Sequence, residues 1–551
     1  MTTKASAQTL EKDEVQEQNI EDTHVRAQLA AQSIAFEKSL TFWQALTLYW
    51  RSSLWVLYGL LLAFNYGMDG IIAGYQVSVP KFREDYGTPY PTGTGVYYII
   101  PGRWLSIFSG VSQACGILGS ILAGWLADKI GRRYANAISC VISLAGVCVQ
   151  YWSKGSLGVL CVGKAINGIP CGMWLVLSPL YASEVSCLRL RGVLSALTNT
   201  ILLAGVFLFT GVMYHLGALP YRSSYMIPFA CQWIVPGIVL LTFWFWPESP
   251  VWLARMGKRE AAIKSLDRLH GRHSKIDKTA LLAQIEETLD MERTMNSRSA
   301  QDSNSYLEAF SKSHRRRTVI VMFVYCCQYL SGNTFVIGYQ AYFYQLIGYS
   351  TQKSLLLGLL HTSFLFVTNI IAWCVIAKVR RRPLIVWGQF LAAICLFLIG
   401  GLSVVGTPAA YRGVVGLMFI WGFLYEISLA TVGWTVGSEI PALRMRSRTQ
   451  GLGNVVLSFT SWVTAFIFPY VFNPDTGNLV GKVGFVFGGT TFIGFVGTFF
   501  LLPEGRDRTA AEMDILFERK TPTREFHTAT VTVTEDTFRG GSGEQEMPIK
   551  A

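Results

Sequence analysis

The sequence predicts an all-helical membrane protein with twelve spanning helices in two halves of six. Apolar residues make up 51% of the 551 residues and charged residues only 15%, whereas soluble proteins carry about 25% charged residues. The apolar residues gather in twelve segments, each able to supply the roughly 20 residues that cross a bilayer as a helix. A basic loop also occurs twice, as GWLADKIGRR (124–133) and, degraded, as AKVRRRPL (377–384). This repetition indicates an internal duplication.

The predicted helices fall into two groups on either side of a hydrophilic linker. Residues 1–53 are predicted to be a polar N-terminal tail, 54–247 the first half, 248–317 the linker, 318–502 the second half and 503–551 a C-terminal tail. Within the linker, residues 252–271 and 279–295 have the apolar spacing of amphipathic helices, and 296–314 is predicted to be looser. The predicted spans are residues 54–77, 105–127, 134–153, 157–182, 193–215, 225–247, 318–341, 355–377, 384–405, 411–437, 451–471 and 483–502.

The net charge of +12 is distributed as expected for a membrane protein rather than for a nucleic-acid-binding protein. Arginine and lysine gather in alternate loops, and each of the short loops between them holds a single basic residue. Because basic loops stay in the cytoplasm, both termini are predicted to be cytoplasmic. No apolar signal-peptide region precedes the first span, so that span is expected to direct membrane insertion.

The sequence contains no signature of a soluble enzyme or of a bound cofactor. It has no P-loop, no nucleophile elbow, no CxxC pair and no metal-ligand spacing. Its eleven cysteines fall almost wholly within predicted spans, where they are expected to pack as small apolar residues rather than form disulfides. We therefore expect neither an enzyme nor a metal or cofactor site.

Six sequence segments resemble a known family. GWLADKIGRR is similar to the loop between helices 2 and 3 of the major facilitator superfamily, and five further segments resemble its sugar porter family. These lie at residues 178–192, 247–253, 328–332, 438–448 and 503–509, in the family's order. The resemblance covers about residues 50–520. It implies the major facilitator fold, a small-molecule substrate bound between two rocking halves, a plasma-membrane location, lipid as surroundings and a monomeric protein.

Acidic and basic residues alternate at the predicted inner membrane surface. Ion pairs there can hold the two halves together when the cavity faces outward and separate when it faces inward. The alternative is that these residues only fix the topology. The acids interleaved with the arginines favour gating. The candidate gating residues are Asp128, Arg132, Arg133, Glu184, Arg191, Glu248, Glu439, Arg444 and Arg446.

Asp69 is an acid inside the first predicted span, where a charge is expensive and usually functional. Burial disfavours the charged carboxylate, so such a group can bind and release a proton. The resemblance to proton-coupled sugar porters implies that Asp69 is the proton site. It also implies that Lys164 is the partner of Asp69, in place of the family's arginine. The alternative is a structural ion pair that never titrates.

The resemblance to the family's glucose transporters also implies a set of cargo-binding residues. Tyr329 and Thr334 stand where those transporters carry a glutamine and an asparagine, and Val206 and Leu365 replace two further amides. The loss of hydroxyl-binding groups argues against a free hexose in the same pose. For Glu426 the alternative is an acid with a packing role, and for Trp434 an interfacial tryptophan. The candidate substrate-binding residues are Gln328, Tyr329, Thr334, Glu426 and Trp434.

Local segments further resemble the fungal maltose and α-glucoside proton symporters. One is GIPCG (168–172), whose proline stands where most sugar porters have glycine. The expected function is therefore import of an α-glucoside such as maltose by proton symport. Two departures weigh against this cargo: Tyr66 replaces an acid of those symporters, and Ala430–Thr431 replaces a Gly–Pro pair. The alternatives are a porter moving a hexose, polyol or secondary metabolite, inward or outward, and a sensor that does not transport.

Overall fold

Twelve helices within the described residues are long and apolar enough to cross a membrane, in agreement with the sequence prediction. The computed structural model describes residues 25–92, 95–271, 276–301, 306–311, 314–442, 445–505, 510–527 and 529. The spanning helices, named α1 to α12, are Trp50–Val77, Gly102–Ile130, Arg132–Tyr151, Leu157–Val185, Leu188–Leu216, Ser223–Leu241, Arg315–Gly338, Thr351–Ile376, Arg381–Val405, Pro408–Gly437, Arg448–Phe472 and Val480–Leu501.

The helices form two bundles of six that meet mainly along two helix pairs, with a further contact between α1 and the end of α7. In the first half α4 packs between α2 and α3, and α1 packs on α5. In the second half α9 packs between α10 and α12, and α7 packs on α11. The halves contact each other where α2 lies against α11 and α5 against α8. Each half therefore behaves as a packing unit, with an interface that leaves room for a central cavity.

Most predicted spans agree with the helices to within a few residues. The largest differences are at α6, which ends at Leu241 rather than 247, and at α5, which begins at Leu188 rather than 193; α1 begins at Trp50 rather than 54. Helical hydrogen bonding continues into polar residues beyond the apolar stretch, so α1 is longer than its hydropathy indicates. The chain after α6 turns through a short 3₁₀ segment, Phe243–Phe245, before reaching Pro247. Because the residues of that turn are also apolar, composition alone does not predict where α6 ends.

One end of the bundle, here called the linker end, carries short helices outside the predicted membrane. Gly257, at φ +72°, ends the first linker helix, so the single helix predicted over 252–271 is in fact two. The prediction that residues 296–314 are looser is wrong for residues 296–301, which belong to the helix Lys278–Gln301. The short helices are residues 25–39, Phe42–Leu48, Pro250–Arg255, Arg259–His270, Lys278–Gln301 and Ala510–Glu518, with a 3₁₀ turn at Tyr306–Phe310.

The predicted polar tail is also partly a folded element. Residues 25–39 are helical and pack on the linker, where Arg26 Nη2 lies 2.8 Å from Asp290 Oδ2. Glu37 is buried and accepts a hydrogen bond of 2.9 Å from the backbone N–H of Leu188, the first residue of α5. A carboxylate there fits the positive end of the helix dipole. The N-terminal region is therefore attached to the first half.

The other end of the bundle, here called the hairpin end, carries a two-stranded antiparallel sheet. Strand β1 (Thr88–Thr92) pairs with β2 (Gly95–Ile99), with Tyr90 opposite Tyr97. The sequence analysis does not predict these strands. Arg83 is buried beneath them, with its guanidinium carbon 4.6 Å from the ring centre of Tyr97 and 5.9 Å from that of Tyr342 in the second half. These cation–π contacts attach the hairpin across the interface.

Two spanning helices of the second half contain a π-helical turn, Thr334–Gly338 in α7 and Glu426–Ala430 in α10. Such turns interrupt the regular i to i−4 bonding and occur frequently at functional sites. Both contribute residues to the same central cavity. The turn in α10 also includes Ala430, at the position where the sequence departs from the family's Gly–Pro pair.

Candidate transport site

A cavity of about 240 Å³ lies between the two halves, near the middle of the spanning helices. Its polar lining comes from both halves, and aromatic rings cover much of the rest. The first half supplies Asp69, Ser112, Gln113 and Asn199. The second half supplies Gln328, Asn333, Glu426 and Ser461. The aromatic lining is Tyr66, Tyr329, Tyr339, Tyr425 and Trp434.

The structure brings Asp69 of α1 and Lys164 of α4 together in a buried ion pair. Lys164 Nζ lies 2.6 Å from Asp69 Oδ1 and also donates to the Asp69 carbonyl oxygen at 3.1 Å. Asn167 Nδ2 donates to the same carboxylate oxygen at 2.9 Å, and Ser112 Oγ to the other at 3.4 Å. The Asp69 and Lys164 side chains are 5% and 2% exposed, so their charges compensate each other away from bulk water. Their role in proton coupling remains a prediction.

Glu426, at the π-turn of α10, is held by two amide groups. Asn369 Nδ2 of α8 donates to its Oε1 at 2.7 Å, and Asn199 Nδ2 of α5 to the same atom at 3.4 Å. Thr200 Oγ1 donates to Asn369 Oδ1 at 2.6 Å, which orients that amide with its N–H toward Glu426. Since α5 belongs to the first half, these bonds join the two halves at mid-membrane.

The other predicted substrate-binding residues also line the cavity. Gln328 Nε2 is buried and has no hydrogen-bond partner among the described residues, so it is a donor available to a bound hydroxyl. Trp434 is 38% exposed and packs against Tyr325, with ring centres 5.4 Å apart. Tyr329 and Thr334 lie on the same wall.

The sequence analysis identified Leu365 of α8 as the replacement of an amide and did not select Asn369. Leu365 is completely buried, and Asn369, four residues later on the same face of α8, supplies the amide instead. Asn333, next to the predicted Thr334, donates to the Tyr425 hydroxyl at 3.2 Å. The sequence analysis also missed Asn199. For Asn369, the available sequence signal was the NIIAW stretch (369–373), which begins with this residue.

The cavity is closed toward the hairpin end by hydrogen bonds between the halves. Asp475 Oδ2 accepts from the backbone N–H of Gly102, the first residue of α2, at 2.8 Å. Asn473 Nδ2 donates to the Ile100 carbonyl at 2.9 Å, and Tyr339 and Ser109 bond through their hydroxyl groups. Hydrogen bonds between the halves concentrate from the middle of the membrane to this end. The lining of the cavity extends toward the linker end, to Ser120 of α2 and Trp434 of α10.

The gating candidates of the first half cluster within that half. Arg132 is buried, with Nη2 2.7 Å from Glu184 Oε1 and Nη1 3.4 Å from Asp128 Oδ1. Glu248 accepts the backbone N–H of Arg132 at 2.9 Å and that of Arg133 at 3.1 Å, at the start of α3. Burial raises the pKa of Glu248, against the effect of these backbone donors.

A second cluster repeats this arrangement in the other half. Glu439 Oε1 lies 2.9 Å from Arg381 Nη2, and Glu504 accepts the first two N–H groups of α9. The sequence analysis placed Glu439 beside Arg444 and Arg446, and it did not select Arg381 as a gating residue. Arg444 lies outside the described residues, as does the side chain of Arg446. Arg191 is exposed at the start of α5.

Comparison with known proteins identifies the family. Residues 55–517 match the family described as "Sugar (and other) transporter". The chain belongs to this family. It is 29% identical over 501 residues to the general alpha-glucoside permease of Saccharomyces cerevisiae. The aligned region covers 90% of this chain and 80% of that relative. It is 30% identical over 529 residues to the MFS transporter fmqE of Aspergillus fumigatus, covering 94% of this chain and 96% of that relative.

The fold is also found in solved structures of this transporter family. The inward-open conformation of the xylose transporter XylE from E. coli superposes with a TM-score of 0.67. It has 19% sequence identity and covers 84% of this chain and 98% of that chain. Family and fold together show that the chain is a multi-pass membrane transporter of the major facilitator superfamily and not an enzyme. The sequence prediction of family and fold is thereby confirmed.

Proposed function

We propose that this transporter imports an α-glucoside such as maltose by proton symport and alternating access. The observation that carries the proposal is the buried Asp69–Lys164 pair in a cavity lined by polar groups from both halves. A carboxyl placed there can exchange a proton while the cargo binds beside it. The curated relatives named as α-glucoside and maltose permeases support the choice of cargo.

The orientation of the protein follows from its charged loops. With both termini in the cytoplasm, the linker end is cytoplasmic and the hairpin end extracellular. The structure is then an inward-facing state of a plasma-membrane transporter, because its cavity is closed at the hairpin end. The gating clusters lie within their own halves in this state. They are proposed to approach each other when the outward-facing state forms, in a monomer surrounded by lipid.

Protonation of Asp69 from the extracellular side starts the transport cycle. A neutral Asp69 no longer balances Lys164, which loosens the pair and frees α1 from α4 at the cavity wall. The sugar then binds with hydroxyls on Gln328 and Glu426 and an apolar ring face on Trp434. Inward opening releases both, driven by the pH gradient and the membrane potential.

Uptake of radiolabelled maltose and glucose, with extracellular pH recorded, tests this function in yeast that lacks its own transporters. The wild type is compared with Asp69→Asn, and Glu518→Gln serves as a control because Glu518 is exposed and lies outside the spanning helices. We expect maltose uptake with alkalinisation of the medium in the wild type and the control, and loss of both in Asp69→Asn. Surface-localised wild-type protein that takes up neither sugar would contradict the proposal.

A second candidate is a cargo other than a sugar, either a polyol or a less hydroxylated secondary metabolite. Val206, which lines the cavity, is apolar where the resemblance to glucose transporters implies an amide, and four tyrosines lie on the cavity wall. The chain also matches the MFS transporter fmqE over nearly all of its length. Transport that excess maltose fails to inhibit would favour this candidate. A sensor without flux is distinguished by the absence of any exchange in reconstituted vesicles.

A further inference from the structure

The cavity contains two carboxyl groups in contrasting surroundings. Asp69 has the ammonium group of Lys164 at 2.6 Å. Glu426 is 2% exposed and, among the described residues, bonds only to the neutral amides of Asn199 and Asn369. A buried carboxylate without a cation is far less stable than one in an ion pair. In this conformation, Glu426 is therefore the carboxyl that lacks charge compensation.

We propose that Glu426 is a second proton-coupling carboxyl, whose charge controls a hydrogen-bonded ring between the two halves. This inference rests on the proposed proton-driven function and adds a second site to it. Glu426 was singled out from the sequence as a binder of cargo. The contacts around it assign it a further role.

The ring consists of two consecutive residues of α5 and two residues of the second half. Asn199 donates to Glu426 at 3.4 Å, Asn369 donates to Glu426 at 2.7 Å, and Thr200 donates to Asn369 at 2.6 Å. Asn369 is completely buried, so its amide has no water to replace these partners. Any movement of α5 away from α8 and α10 must break at least two of the three bonds.

The charge of Glu426 sets the strength of this ring. Hydrogen bonds to a carboxylate are roughly twice as strong as bonds to a neutral acceptor. A proton on Glu426 can sit on Oε2, because both amides donate to Oε1, and it weakens both amide bonds by removing the negative charge. Proton binding thus favours separation of α5 from α8 and α10, and proton loss favours their contact. This coupling links the proton to the two-state motion of the halves.

Among the described residues that line the cavity, the one cation is Lys164, which is paired with Asp69 rather than with Glu426. Tyr425 adjoins it on α10, Tyr329 lies on α7, and Tyr66 and Asp69 lie on α1, all lining the same cavity. On α8, His361 is completely buried and shares a hydrogen bond of 2.5 Å with Gln340. Lys164 on α4 is occupied by Asp69. The proton on Glu426 comes from the cavity water in one state and returns to cavity water in the other.

Infrared difference spectroscopy of the purified protein tests this inference without requiring a known cargo. The carbonyl stretch of a protonated carboxyl is followed as pH is lowered, in wild type, Asp69→Asn, Glu426→Gln and the double variant. We expect a band that Glu426→Gln removes and Asp69→Asn retains. Asn369→Ala should keep the band up to a higher pH, because the lost amide donor stabilised the carboxylate. Gln389→Ala, which removes a buried amide that bonds Thr498 away from the cavity, is the matched control.

The outcomes separate this inference from the function on which it rests. An unchanged band in Glu426→Gln would overturn the second proton site, even if maltose uptake remains proton-coupled. Loss of the band in Glu426→Gln, in a wild type that shows no proton-coupled uptake, would support the site and contradict the proposed function. An identical pH response of Asn369→Ala and Gln389→Ala would show that the ring does not sense the charge of Glu426.

Discussion

Glu248 and Glu504 hold equivalent positions in the two halves. Glu248 accepts the first two backbone N–H groups of α3, at 2.9 and 3.1 Å, and Glu504 accepts the first two of α9, both at 3.1 Å. Each acid follows a proline after the last spanning helix of its half. The duplication is thus retained as hydrogen-bonding geometry, although the second basic loop has lost its aspartate. Helix N-termini favour a carboxylate at this place in both halves.

The first prediction concerns the pH dependence of this contact. Burial raises the pKa of Glu248 above its unfolded value of 4.5. A raised pKa means that the contribution of Glu248 to stability is fully present below pH 4.5 and is lost as pH rises through the folded-state pKa. The melting temperature of the wild type, relative to Glu248→Gln, should therefore fall across this range. Asp128→Asn, which alters an exposed acid of the same cluster, is the control.

A second prediction concerns His270, in the linker helix Arg259–His270. Burial, with a smaller effect of Lys278, lowers its pKa from 6.5 to about 4. Its stabilising contribution is thus present above pH 6.5 and lost as pH falls toward 4. The loss is at most about 3.5 kcal/mol, at roughly 1.4 kcal/mol per pH unit over the interval from 6.5 to about 4. Thermal melts of His270→Gln should depend less on pH in this window than wild type or the exposed-site control His527→Gln. Parallel curves for all three would contradict the prediction.

The third prediction separates the two partners of the buried ion pair. Lys164→Met leaves the Asp69 carboxylate without its cation and should destabilise the protein by about 3–5 kcal/mol. The double variant Asp69→Asn/Lys164→Met removes both charges and should recover much of this loss. Denaturant titration of the purified protein in detergent measures the difference. Lys154→Met, which removes a charge outside the spanning helices, controls for altered solubility. Equal stability of the single and double variants would mean that Asp69 is already neutral.

The fourth prediction tests closure of the hairpin end. A Cβ atom added at Gly74 of α1 would lie 2.0 Å from the carbonyl oxygen of Gly338 of α7, across the interface. Gly74→Ala should therefore keep the hairpin end open, since overpacking costs about 1–3 kcal/mol. Such a cost shifts a two-state equilibrium about 5- to 150-fold. Hydrogen–deuterium exchange of residues 95–105 should accelerate.

The same measurement on Gly70→Ala provides the comparison for Gly74→Ala. Gly70 lies one turn away on α1, and a Cβ atom there would have no neighbour within 4 Å. The two variants have the same helix propensity change, so a difference between them reports the contact with α7. Equal exchange rates in the two variants would refute the steric argument.

Sequence patterns predicted the parts of the structure that depend on local composition. Long apolar runs have few alternatives to a spanning helix, so the twelve helices followed directly. The position of Lys164 relative to Asp69 followed from family motifs at fixed places on α4 and α1. The hairpin at 88–99 did not follow, because its short strands carry two prolines and lie outside the membrane, where hydropathy has no signal.

The cavity lining could be predicted only in part. Whether Asn199 and Asn369 face the cavity depends on how α5 and α8 are rotated about their axes. The family resemblance pointed to Leu365 as the equivalent position on α8, one helical turn before Asn369. Similarly, Glu439 pairs with Arg381 of α9, which is distant in sequence, whereas proximity in sequence pointed to Arg444 and Arg446. Contacts between segments distant in the chain are set by packing and leave no local pattern.

The helix at residues 25–39 has a practical consequence for anyone preparing the protein. Ala30 and Glu37 are buried, Ser33 Oγ donates to Gln284 at 2.7 Å, and Glu37 binds the start of α5. A shortened version that begins at Trp50 would expose the underside of the linker and invite aggregation during purification. Affinity tags and fluorescent fusions belong ahead of residue 25, where they leave this helix on its docking surface.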